Sequence, residues 1–130
     1  QDYLYSMPHP LPEFTKSVVW DTRQPLDLPH GRLQALPCKA GGIPLSVHTV
    51  SVQPADRRLS LQRRGRPHQS FKKLMQSGRI PPWQRSSFPM IFHKNEMIAL
   101  PNFGVAASKD VYPAPGYEVF WQTDASQAPD

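Results

Sequence analysis

The 130-residue sequence predicts an α+β domain, mostly short β-strands with one or two short helices. Three observations carry that expectation. Proline is 16 of 130 residues, more than double its usual share of about 5%, and proline at that density interrupts long helices and favours short strands with irregular connections. The apolar residues, 38% of the chain, come in short runs bounded by Pro and Gly, as half-buried strands do. Only one segment spaces its apolar residues for a helix.

Taken in order, residues 1–16 read as a strand (Tyr3 to Ser6) and then an extended linker carrying Pro8, Pro10 and Pro12, the exit from a preceding domain. A folded domain is expected over residues 17–125, with 126–130 a frayed tail. Its strand candidates are Val18–Asp21, Arg32–Leu36, Leu45–Val52 and Arg57–Gln62; in the last, Leu59 and Leu61 share one face and Arg58, Ser60 and Gln62 the other. The helix is placed from about Pro67 to Ser77, where Phe71, Leu74 and Met75 share a face, Lys72, Lys73 and Gln76 point away, and Gly78 follows the end. Ile80-Pro81-Pro82-Trp83 is expected to be an extended turn. Met90–His93 and Met97–Leu100 flank a hairpin loop, Lys94-Asn95-Glu96, with Asn95 at positive φ; Phe103–Ala106 and Tyr117–Gln122 complete the set.

At this length a domain buries roughly two-thirds of its unfolded surface, enough for a core without disulfide or metal. The single cysteine, Cys38, excludes an internal disulfide and a cysteine-rich zinc site, and reads as a reduced, half-buried thiol of a cytoplasmic protein. His9, His30, His48, His68 and His93 lack metal-ligand spacing. No apolar run approaches the ~20 residues that span a membrane, and a signal-peptide pattern is missing. The first residue is Gln1 rather than Met, which suggests a fragment.

The net charge of +5 conceals a segregation. Between Arg57 and Arg85 lie nine of the 15 basic residues and none of the ten acidic ones, so this segment carries +9 and the remainder −4. A one-signed surface of this kind suits phosphate-rich partners, because each neutralised phosphate releases counterions. Its sharpest part is Arg63-Arg64-Gly65-Arg66-Pro67-His68, where guanidinium forks lead into an expected helix start. Lys72, Lys73, Arg79 and Arg85 extend it. Trp83, between Arg79 and Arg85, is either a base-stacking platform or core; following Pro-Pro and preceding Phe88, it is read as core. Gly41-Gly42 lacks the Lys-Ser/Thr of a phosphate loop and marks a turn. Asp21, Asp27, Asp56 and Glu96 are isolated, and no nucleophile–base arrangement accompanies them, so no catalytic residue is assigned.

The run Phe71-Lys72-Lys73-Leu74-Met75, Gly78-Arg79-Ile80-Pro81-Pro82-Trp83-Gln84-Arg85, Phe88-Pro89-Met90-Ile91-Phe92 and Met97-Ile98-Ala99-Leu100-Pro101 resembles the C-terminal domain of bacterial tRNA(Ile)-lysidine synthetases. The match is specific over residues 63–105 and looser over 17–62, where Val18-Val19-Trp20-Asp21 and Leu28-Pro29-His30-Gly31 also resemble the family. The resemblance implies a fold like a domain of the phenylalanyl-tRNA synthetase β subunit and a partner, the acceptor-stem side of tRNA(Ile). It implies contacts from Arg63, Arg64, Arg66, His68, Lys72, Lys73, Arg79 and Arg85, with Phe71, Leu74, Trp83 and Phe88 structural. It also implies that ATP and lysine are used by a separate catalytic domain, a ligase, whose Ser-Gly-Gly-x-Asp-Ser loop is not in this sequence; no cofactor is assigned to this chain. One departure is Asn102-Phe103-Gly104, where the family places a glycine sooner. Dimerisation is left open. Two readings compete with this one: a generic RNA-binding β-domain, and a protein-interaction module using the proline-rich stretches around 8–12 and 111–115.

Overall fold

Strand patterns with one solvated face and strand patterns buried on both faces sort this chain into two antiparallel sheets. The computed structural model describes residues 16–123, so all but the last residue of the strand and linker expected over 1–16, and the tail expected over 126–130, lie outside it. β1 (Val18–Asp21), β5 (Thr49–Pro54), β8 (Pro89–His93), β9 (Glu96–Leu100) and β10 (Gly104–Val105) form a five-stranded sheet in that order. β2 (Leu26–Leu28), β3 (Gly31–Cys38), β11 (Gly116–Thr123) and β4 (Ile43–Pro44) form a four-stranded sheet. β6 (Ser60–Leu61) and β7 (Gln69–Ser70) make a small hairpin, and the helices are α1 (Phe71–Ser77) and α2 (Pro82–Arg85). The α+β, mostly β class is as expected.

β8 is central in its sheet, and its run of Pro89, Met90 and Ile91 is buried without alternation, like Ile98, Ala99 and Leu100 of β9. β11 instead alternates: Tyr117, Val119 and Trp121 are buried while Phe120 and Gln122 face water, the mark of a sheet covered on one side. One cluster joins both sheets to Phe71, Leu74 and Met75 of α1. Cys38 is half-buried, and burial pushes its thiol pKa up.

The β8–β9 hairpin turns on two residues rather than three. Lys94 and Asn95 both have positive φ, 52° and 65°, as a two-residue turn matched to strand twist requires, and Glu96 already pairs with His93. Asn102 takes φ 71°, and its side chain donates to Trp121 O and accepts from Trp121 N, both at 2.9 Å. The departure at this turn is thereby explained. An Asn tolerates the left-handed conformation and also ties the end of β9 to β11.

Several expected elements are corrected. The strand placed at Leu45–Val52 begins at Thr49 and runs to Pro54, because Val47 N–H closes a turn on Pro44 O (2.9 Å) and leaves Leu45 and His48 exposed. Arg57–Gln62 shrinks to Ser60–Leu61, since Asp56 captures Arg58 N–H at 3.0 Å and Leu59 N–H bonds Asp56 O at 3.1 Å. β2, β4 and β7, too short to show a pattern, were missed. Thr123 pairs with Gly31 and extends the last strand one residue beyond the expected Gln122.

Candidate nucleic-acid interface

The helix begins four residues later than its spacing suggests, and this reshapes the basic segment. Gln69 and Ser70 pair with Leu61 and Ser60, and the Ser70 hydroxyl then accepts Lys73 N–H at 3.1 Å, capping α1. The cluster from Arg63 to His68 is therefore a hairpin turn, with Gly65 at φ 75°, and not the lead-in to a helix N-terminus. Only two extended residues, at roughly 3.3 Å each, separate that turn from α1. Lys72, Lys73 and Gln76 face water as expected.

Within the turn the three arginines part company. Arg63 is half-buried: it donates to Phe103 O at 3.0 Å and to Gln69 Oε1, and its stem lies against Gly104. Burial, then the charge of Arg66, lowers its pKa. Arg64 bonds Asp110 Oδ2 at 3.2 Å and stacks over Tyr112, 3.8 Å from guanidinium carbon to ring centre. Asp110 also accepts from Gly42 N–H (3.1 Å) and Tyr112 N–H (2.9 Å). Arg63 and Arg64 thus dock the hairpin onto the body, which the local sequence did not reveal because Asp110 lies 46 residues from Arg64. Arg66 is exposed and makes no ion pair with a described residue. His68 is exposed with Nδ1 3.4 Å from Ser60 Oγ.

The other end of α1 also departs from expectation. Gly78 is the C-cap at φ −83°, and the left-handed position falls on Arg79, φ 57°. Ile80 N–H bonds Met75 O (2.9 Å) and Arg79 N–H bonds Gln76 O (3.1 Å), a Schellman closure. Glycine is required at 78 for a different reason: a Cβ there would meet the Phe103 ring at 2.5 Å. Arg79→Gly is expected to raise stability by about 1 kcal/mol by removing the left-handed penalty, measured by urea denaturation. A loss of stability would show that the Arg79 side chain packs.

Pro82–Arg85 is a helical turn and not extended, since Pro82 at its first position lacks an N–H that would go unused there. Arg85 is half-buried and donates from Nε to Ile80 O at 2.8 Å. Trp83 is 55% exposed, so the core reading of this residue is overturned. Phe71, Leu74 and Phe88 are buried as expected, Phe88 meeting Phe103 edge-on at 5.9 Å.

Arg57, Arg66, Lys72, Lys73 and Arg79 are exposed and make no ion pair with a described residue. Arg58, by contrast, is held by Asp56 at 2.9 Å. Arg57 was not among the expected site residues, although it opens the acid-free segment. The model of the TilS substrate C-terminal domain family matches residues 49–124. The chain belongs to that family. The matched span starts at β5 and contains the whole basic segment. A tRNA(Ile)-lysidine synthase from Xanthomonas axonopodis pv. citri (strain 306) is 30% identical over 110 residues, covering 82% of this chain and 24% of the relative. The chain therefore spans about a quarter of the length of the curated relative it matches. Among the described residues no helix is long and apolar enough to cross a membrane.

Proposed function

We propose that this chain is the tRNA-anchoring C-terminal part of a cytoplasmic tRNA(Ile)-lysidine synthetase, and that it holds the acceptor-stem side of tRNA(Ile). ATP and lysine are used by the catalytic part, and residues 17–125 form the anchoring unit, with a fold like that of the phenylalanyl-tRNA synthetase β subunit domain. The observation that carries this reading is the set of five exposed cations, from Arg57 to Arg79, that make no ion pair with a described residue, inside the family-matched span. Membership of the family supports a tRNA partner.

In this reading Arg57, Arg66, Lys72, Lys73 and Arg79 meet phosphates directly, with His68 beside them. Arg63, Arg64 and Arg85 hold the surface in shape through their bonds to Phe103, Asp110 and Ile80. Phosphate contacts along an A-form stem position an RNA without reading base edges, which its deep major groove hides. Discrimination then comes from distance, since a tRNA gripped at one end presents its anticodon to a remote catalytic domain.

The test is the affinity of the chain for tRNA(Ile) at increasing salt, by filter binding or anisotropy. Log affinity is expected to fall linearly with log salt, and five contacts give a slope of about −3.5 to −4.5. An acceptor-stem minihelix is expected to compete and an anticodon stem-loop is not. A flat salt response, or equal competition by both fragments, refutes the anchor.

A further inference from the structure

Arg57, Lys72 and Arg85 come from three separate elements: the turn after β5, the first turn of α1, and the end of α2. With Phe71 they line a single cleft of about 350 Å³. Among the described residues no carboxylate lines it. The acid nearest in sequence, Asp56, is already engaged by Arg58 through Nε at 3.0 Å and a terminal nitrogen at 2.9 Å. Arg85 is held by its Nε bond to Ile80 O at 2.8 Å, and the terminal nitrogens of its guanidinium make no hydrogen bond to a described residue. Phe71, 3% exposed, gives the cleft an apolar floor.

We propose that this cleft is a phosphomonoester pocket that takes the terminal phosphate of an RNA strand, with Arg57, Lys72 and Arg85 as its anion ligands and the terminal sugar against Phe71. Three like charges in one concave site repel each other until an anion fills it. An internal phosphodiester brings one negative charge and leaves most of that repulsion in place. A terminal phosphate carries about −1.5 to −2 at neutral pH and offers three strong acceptor oxygens. It therefore matches three donors from three directions. The cleft also exceeds the size of a phosphate group alone, and lies within the range of small-ligand sites, so the attached sugar enters with it. Arg66, Lys73 and Arg79 do not line the cleft; each meets a passing diester singly. The inference rests on the RNA-anchor reading and adds to it a preference for a strand end.

The experiment compares the whole chain binding two RNA stem-loops of the same sequence, one with a 5′-phosphate and one with a 5′-hydroxyl, labelled at the 3′ end and read by anisotropy at fixed salt. The unsubstituted chain is expected to bind the phosphorylated stem about tenfold more tightly. Arg57→Gln and Lys72→Gln, on different elements and both exposed, are expected to remove the preference, each binding the two stems alike. Arg66→Gln, outside the cleft, is expected to weaken both and keep the ratio. Equal binding of both stems by the unsubstituted chain overturns the pocket while leaving the RNA anchor intact, as does a ratio unchanged in Arg57→Gln and Lys72→Gln. Failure to bind either stem overturns both readings.

Discussion

Replacing Arg66, Lys73 and Arg79 together by Gln is expected to lower tRNA affinity roughly 100-fold at physiological salt and to flatten the log–log salt slope by about three units. None of the three makes an ion pair with a described residue, and all are exposed. Their removal therefore leaves no buried charge behind and should not shift the melting temperature. An exposed charge contributes at most about 1 kcal/mol, and three such losses correspond to about two decades of affinity. The control is Arg23→Gln. Its side chain pairs with Asp21 at 2.8 Å, well outside the basic segment, and is expected to leave the slope unchanged. The same titration that tests the proposed function checks this prediction; a slope unmoved by the triple substitution would assign the salt dependence to other residues.

The choice of those three, rather than the Arg63-Arg64-Arg66 triplet that stands out in the sequence, shows where legibility ended. Period and composition revealed the α+β class, the buried face of α1 and the β8–β9 hairpin, because each depends on neighbours within a few residues. Segregation of charge was also visible, being a property of order along the chain. What each arginine does was not. Arg64 is engaged by Asp110 and Tyr112 across the fold, and Arg63 by a carbonyl 40 residues away. Only the assembled sheets bring those groups together. The start of α1 was misplaced for a related reason: Gln69 and Ser70 carry no strand signal of their own and extend only because Ser60 and Leu61 lie alongside. Trp83 misled because an aromatic after Pro-Pro packs well in many settings, yet Pro82 here opens a helical turn that turns the indole outward.

Asp110→Ala is expected to cost about 3 kcal/mol and lower the melting temperature by about 12 °C, at roughly 4 °C per kcal/mol for a chain of this size. The Asp110 side chain is only 11% exposed, and it accepts N–H groups of Gly42 and Tyr112 as well as Arg64 Nε. Alanine leaves two backbone donors without their acceptor, at about 1–3 kcal/mol each, and frees Arg64 from the loop. Asp110→Asn keeps one acceptor oxygen and should lose about half as much. Burial raises the Asp110 pKa, but the bonds from Tyr112, Gly42 and Arg64 together outweigh it, and the net shift is downward. A carboxylate whose folded pKa lies below its unfolded value stabilises fully above about pH 3.9, and that stabilisation fades as pH falls through the folded value. The stability gap between the unsubstituted chain and Asp110→Asn should therefore be constant from pH 7 to about pH 5 and close progressively below pH 4. Urea denaturation across that range reads both. A gap under 1 kcal/mol at pH 7, or one that widens in acid, would mean that Gly42 and Tyr112 find water instead.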